Sequence, residues 1–368
     1  MSRIFGAGTR VGTRVGTRAA RRLALTAFVS IGLAAPLGAQ SAAGVRWPIK
    51  TREHVDLWLH GFAMVGPDSA KIPLYRRGYR ESLIVARNAA SAITELDANA
   101  DVLGKALSTQ PNLLAAQFLA LEFATWADLS GALDAFVKAD GDPRRASGAA
   151  AQMVARLGSI FRTRDDRDFA RRFLTGLISE REKFHHQWWV AETRRRDATL
   201  TAVDSIWQRH IRPALQSFLN HTQQGDGELV LSTVLEAEGR TITNDKRRNT
   251  VVVGWPESPE RASDAVYCLL HELVGPLTVA AVEDNVTPAQ KRSGVADAYQ
   301  SISLVRGGAI LAARLGADVG SGYMAFYLRA TGAPTTGDVA TDFARAFPLP
   351  EAMLSSIERQ VAIAFTGI

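Results

Sequence analysis

Val251-Val252-Val253-Gly254-Trp255-Pro256 and, after a Ser/Pro-containing turn, Tyr267-Cys268-Leu269-Leu270-His271-Glu272-Leu273-Val274-Gly275-Pro276 are the segments from which the rest of the chain is read. Three consecutive valines stopped by Gly-Trp-Pro predict a strand, because β-branched side chains suit a pleated surface and glycine and proline end it. The second segment is an apolar run too long for a strand. It predicts a helix over 265–274, capped by Ser258-Pro259 or Ser263. Upstream, Leu229, Val230, Leu231, Val234 and Leu235 form another β-type run, with Gly239-Arg240 and Asn244-Asp245 as turns. Downstream, Thr287-Pro288 opens a long Ala-rich helix reaching about Leu315.

Toward the N-terminus the period changes. Val55, Trp58, Leu59 and Phe62 recur at three- and four-residue steps, one stripe of a helix that starts near Thr51. Leu113, Leu114, Phe118 and Leu121 repeat the pattern behind Thr109-Gln110-Pro111, as do Phe169, Phe173, Leu174 and Leu177. Trp188-Trp189 and Ile206-Trp207 follow, and Pro213 bends or restarts the chain. The expectation is a mainly α fold with a small antiparallel β element. An α-helical N-terminal layer spans residues 40–225, and an α+β part spans 226–368.

The first 39 residues differ from the rest. Arg3, Arg10, Arg14, Arg18, Arg21 and Arg22 precede an apolar run over 23–37 and the small-residue exit Gly38-Ala39-Gln40. This order reads as a secretory signal peptide cleaved after Ala39, since the run is shorter than the roughly 20 residues a membrane helix needs. The expectation is an exported protein, periplasmic or secreted, with no stable membrane anchor after cleavage. The whole chain has 43 Lys+Arg against 37 Asp+Glu. Removing the six leader arginines leaves 37 of each sign, so the apparent basicity gives no motive for a nucleic-acid partner. With 46% hydrophobic and 22% charged residues the bulk of the chain is composed to fold. Its single cysteine, Cys268, forbids an intramolecular disulfide.

The His271-Glu272 pair in an apolar helix entered from a strand resembles the active-site helix of the zincin metallopeptidases, of the gluzincin type, over roughly residues 226–330. In that family a His-Glu-x-x-His helix holds zinc with two imidazoles one turn apart, while the glutamate polarises the metal-bound water. The resemblance implies His271 as first metal ligand and Glu272 as general base. The motif is degenerate, because Gly275 and Pro276 follow where the second histidine would stand. No histidine occurs after His271, and no glutamate lies between Glu283 and Glu351. For a third ligand the nearest acid at suitable spacing is Asp297, with Asp284 and Glu283 as looser candidates.

The resemblance therefore implies an exported, non-catalytic protein that binds a peptide or protein partner in the former cleft, with the Val251–Val253 strand offering edge pairing and no cofactor required. One alternative is an active zinc-dependent hydrolase with non-standard ligands around His271 and Glu272. Another is a helical scaffold in which His271 sits hydrogen-bonded in the core and Glu272 faces solvent or an arginine such as Arg306. Cys268, three residues before His271, is read as a small buried hydrophobe or as a metal-binding or nucleophilic thiol. Tyr323 and Tyr327, one turn apart, are read as packing residues or as oxyanion donors. Arg194-Arg195-Arg196 reads as a solvated face. His185 and His186 point about 100° apart on a helix and cannot chelate together, and His54 and His60 lie off one face.

Overall fold

The structure, a computed structural model, describes residues 47–66, 72–245 and 248–367. The signal peptide expected over residues 1–39, with its expected cleavage after Ala39, lies outside the described residues. The chain is mainly α-helical, with one four-stranded sheet in the order β1-β2-β4-β3. The strands are β1 (Ile49–Lys50), β2 (Asp226–Ser232), β3 (Arg240–Asp245) and β4 (Arg248–Gly254).

The sheet is mixed, which corrects the expectation of an antiparallel one. β1 pairs parallel with β2 and β2 parallel with β4, and only β3 runs antiparallel, on β4. The physical reason lies in the side chains. Leu229-Val230-Leu231 and Val251-Val252-Val253 are all buried, a continuous apolar pattern that suits strands covered on both faces, where parallel pairing is at home. Alternation along each strand divides these residues between two cores. Val230 and Val252 join one, while Leu229, Leu231, Val251 and Val253 join the other. The sheet is thus the wall between two helical layers.

Edge position is also corrected. β4 carries Val251–Val253 and is internal, whereas β3 and β1 are the outer strands. Gly239-Arg240 and Asn244-Asp245, expected as turns, bracket β3 instead: Arg240 opens it and Asn244-Asp245 close it. Thr241, Ile242 and Thr243 between them suit a strand, and pairing with β4 overrides the turn signals at either end.

The first layer is built on α1 (Glu53–Val65), in which every residue from His54 onward is buried. A helix enclosed on all sides must pair its polar groups. His54 bonds the Phe123 carbonyl at 2.9 Å, and Asp56 accepts from the Trp189 indole at 2.8 Å and the Thr233 hydroxyl at 3.1 Å. Around α1 lie α2 (Tyr79–Ala89) and α3 (Arg164–Glu180). Thr163 and Asp166 cap α3 reciprocally, and Phe173 presents its edge to Trp58 and Phe62, at 5.0 and 4.9 Å between ring centres. A π-helical turn, Arg181–His185, joins α3 to α4 (His186–Arg195). The stretch behind Pro111 forms two 3-10 turns, Pro111–Ala116 and Leu119–Glu122, rather than the expected α-helix. Arg196 is another correction: only 4% exposed, it pairs with Glu192 and donates to the Trp255 carbonyl at 2.6 Å, while Arg194 and Arg195 remain exposed.

The second layer packs on the opposite face. α5 (Ser263–Leu273) lies on β4 and bends by 45° into α6 (Gly275–Asn285), so the Gly275-Pro276 step marks a change of helix axis. After Thr287 opens a short helix with a capping box, Gly294 at φ 79° interrupts it, and α7 (Val295–Leu315) begins. The continuous helix expected from residue 287 is therefore two helices. α8 (Ala317–Thr331) and the helices Val339–Ala346 and Glu351–Thr366 complete the layer, which also takes in Val203, Trp207, Leu215 and Phe218. Among the described residues no single helix is long and apolar enough to cross a membrane.

Candidate functional site

α5 delivers Cys268, His271 and Glu272 into the space between β3 and α8. The helix is amphipathic: Val266, Leu269, Leu270 and Leu273 enter the second core and fix its rotation. With that rotation His271 is 1% exposed, and its ring stacks on Tyr327 at 5.6 Å with a 20° interplanar angle. The Tyr327 hydroxyl is committed to the Ala237 carbonyl at 3.0 Å. His271 Nδ1 has no hydrogen-bond partner among the described residues, and burial pushes the imidazole pKa down to about 4. The ring is therefore neutral at pH 7.

Glu272 points the other way along the helix surface, to β3. Its carboxylate accepts the Thr241 hydroxyl at 3.0 Å and stands 3.9 Å from His271 Nε2, too far for a hydrogen bond. Burial raises its pKa, opposed by the Arg240 charge and by the Thr241 and Gly239 groups oriented to it. Beside it, Glu238 is pushed up to about 7, first by burial and then by the Glu272 charge, with Arg240 opposing. Gly239 makes this geometry attainable, since a Cβ there would lie 2.5 Å from the Val252 carbonyl and 3.1 Å from Glu272 Cγ.

Cys268 donates its thiol to the Glu236 carbonyl at 3.4 Å, and burial raises its pKa well above the ordinary value, so it is a protonated, enclosed thiol. Tyr323 and Tyr327 are both 0% exposed, and burial raises both phenols well above their ordinary range. The Tyr323 hydroxyl has no partner among the described residues and rests against Gly308, where a Cβ would come within 2.1 Å of it.

Asp297 stands exposed in the first turn of α7. Seven residues, about 10 Å of helix rise, separate it from Leu304, the α7 side chain that lies against Gly275. Glu283 and Asp284 are exposed at the end of α6. Arg306 lies over the Phe343 ring instead of facing Glu272. The structure thus brings together His271, Glu272 and Cys268 and adds Glu238, Arg240 and Thr241, which sequence reasoning missed. Their one signal was a charged Glu236-Ala237-Glu238-Gly239-Arg240 run inside an otherwise apolar stretch.

Zinc, which the family resemblance implies, needs four donors at about 2.0 to 2.3 Å. Among the described residues no three His, Cys, Asp or Glu side chains are grouped to hold a metal ion. The donor set present does not fit a tetrahedral zinc centre. What it can do without one is hold a proton near neutrality on Glu238 and present a carboxylate pair to a cation beside an outer strand. Compared with known proteins, the chain matches no protein-family model, and no curated protein or solved structure matches it significantly.

Proposed function

We propose that this is an exported, non-catalytic protein with a zincin-like region that binds an extended peptide carrying a basic residue along β3. The observation that carries the reading is that Glu272, the would-be general base, is tied to Thr241 of β3, an edge strand, with Glu238 beside it. Sheet edges recruit extended peptides through main-chain hydrogen bonds, and neighbouring side chains then select among sequences. Two carboxyl groups at one end of such an edge favour a lysine or arginine on the guest.

The experiment is a binding titration of labelled basic peptides against the purified full chain, wild type beside Glu238→Gln and Thr243→Pro. Proline on the exposed strand residue blocks strand pairing. Binding that is lost in Thr243→Pro and weakened in Glu238→Gln supports the reading, and equal binding in all three refutes it. Because Glu238 must ionise to meet a cation, affinity falls as pH drops through about 7, by up to roughly tenfold per unit below it.

A metal-dependent hydrolase is the second reading, favoured by the raised pKa of Glu272, which suits a general base. Zinc in stoichiometric amount in the wild type, absent from His271→Ala and accompanied by peptide hydrolysis, replaces the first reading with this one.

A further inference from the structure

The layer on the opposite face of the sheet holds a polar cluster that peptide binding does not use. Glu180, 0% exposed at the end of α3, accepts from His60 Nε2 at 3.1 Å, from the Thr94 hydroxyl at 2.6 Å and from Arg87 at 3.2 Å. Arg87 also pairs with Asp97 at 2.5 Å, and His60 Nδ1 meets the Tyr79 hydroxyl at 3.0 Å. Through these bonds α1, α2 and α3 are fastened to one carboxylate. Burial would push Glu180 up, but its partners outweigh that and hold it below the ordinary range.

His185 lies against this cluster, its ring centre 5.0 Å from that of His60, and it makes no comparable bond. The ring is 0% exposed, and neither nitrogen has a hydrogen-bond partner among the described residues. It sits on the π-helical turn, an interruption of helical hydrogen bonding that recurs at functional positions, and that turn buries Phe184 and His185 side by side. A leucine or phenylalanine would fill the same space without stranding two polar atoms, so proton uptake is what distinguishes the imidazole here.

We propose that His185 is the trigger of an acid-sensitive latch: a proton taken from solvent drives its side chain out of the interior, and α1 and α2 release from α3. The surroundings offer the imidazolium no relief. Beside it stand His60 from α1 and Arg181 and His186 on its own helix, none of them an acid, and the carboxylate of Glu180, bonded to that same His60, already has its oxygens engaged by His60, Thr94 and Arg87. Arg181 and His186 share the carboxylate of Glu53, leaving none for His185. Burial accordingly lowers the His185 pKa well below the ordinary value, with His60, Arg181 and His186 adding to it. Protons therefore bind the opened form preferentially, and the open population grows as pH falls below about 6.5.

Native-state hydrogen exchange on the full chain between pH 7 and 4.5 tests this, following amides of α1 and α2 after division by the intrinsic exchange rate. In the wild type the opening constant is expected to rise more steeply than in His185→Leu, the ratio of the two growing tenfold per pH unit below about 6.5. His185→Gln, which keeps a polar group but does not titrate there, tracks His185→Leu and carries the test should the leucine variant not fold. His271→Leu, in the other core, leaves the wild-type slope of these amides unchanged. Identical pH dependence in the wild type and the His185 variants overturns the proposal.

Discussion

The Glu180 cluster on one face of the sheet and the α5 cluster on the other bury polar groups by opposite means. On the α1 side Glu180 and Arg87 keep their charges in the interior because each is fully paired, the carboxylate by three donors and the guanidinium by two acids. On the α5 side His271, Cys268, Tyr323 and Tyr327 are all held in their neutral forms by burial, and among the described residues neither His271 Nδ1 nor the Tyr323 hydroxyl has a hydrogen-bond partner. Burying a charge without a partner is far more costly than burying a neutral polar atom without one. The Glu180 network therefore depends on the completeness of its pairing, whereas the α5 cluster, like His185 within the first layer, depends on protonation state.

The sharpest way to break this contrast is Glu180→Ala. It takes from Arg87 its buried acid, leaving only Asp97, and leaves His60 Nε2 and the Thr94 hydroxyl without their partner, and a loss of about 3 to 5 kcal/mol is expected by urea denaturation at pH 7. A loss below about 1 kcal/mol would show that the network is dispensable. On the other face the largest effect comes from pH. The His271 pKa is about 4 folded against the ordinary 6.5 of an unfolded chain, so below 6.5 the unfolded state binds the extra proton. Stability from this site is complete above pH 6.5 and falls as pH drops from there toward 4, by about 3 kcal/mol in all. His271→Leu is expected to flatten that part of the stability-pH curve, and an unchanged curve would mean the ring is solvated.

Gly308→Ala tests the packing that keeps the Tyr323 hydroxyl enclosed. The added methyl would stand 2.1 Å from that oxygen and 2.6 Å from the ring carbon that bears it, and a cost of about 1 to 3 kcal/mol is expected, only partly relieved in the double variant with Tyr323→Phe, which leaves the ring in place. The smallest effect is expected for Tyr323→Phe alone, within about 0.5 kcal/mol of wild type, since the deleted hydroxyl has no partner to lose. A clear destabilisation there would reveal a bond the hydroxyl makes, and would make the two layers more alike than they are described.

Legibility in the sequence followed the range of the interaction. The helix stripes of α1, α3 and α5 were readable because a 3.6-residue period is written within one segment, and so were the apolar runs of β2 and β4. β3 was missed because its six residues carry turn chemistry at both ends and become a strand by pairing with β4. The expected 3.6-period helix behind Pro111 failed because the short turns there are set by packing against α1, where Trp58 donates to the Ala116 carbonyl at 2.8 Å. Arg196 is indistinguishable in sequence from its surface neighbours Arg194 and Arg195, and only the fold brings the Trp255 carbonyl to it.

The sequence by itself determined the helical majority, the apolar strands and the placing of His271 and Glu272 one residue apart on an apolar helix. Adjacent helical residues diverge by about 100°, so that pair was bound to face different neighbours. Which neighbours they are was decided only by tertiary structure: Tyr327 from α8 for the imidazole, Thr241 from β3 for the carboxylate. The same holds for Glu180, joined to His60 across 120 positions of chain. No local period records such a contact, because it forms only when the two layers close on the sheet and the excluded water leaves each polar group with the partner the fold supplies.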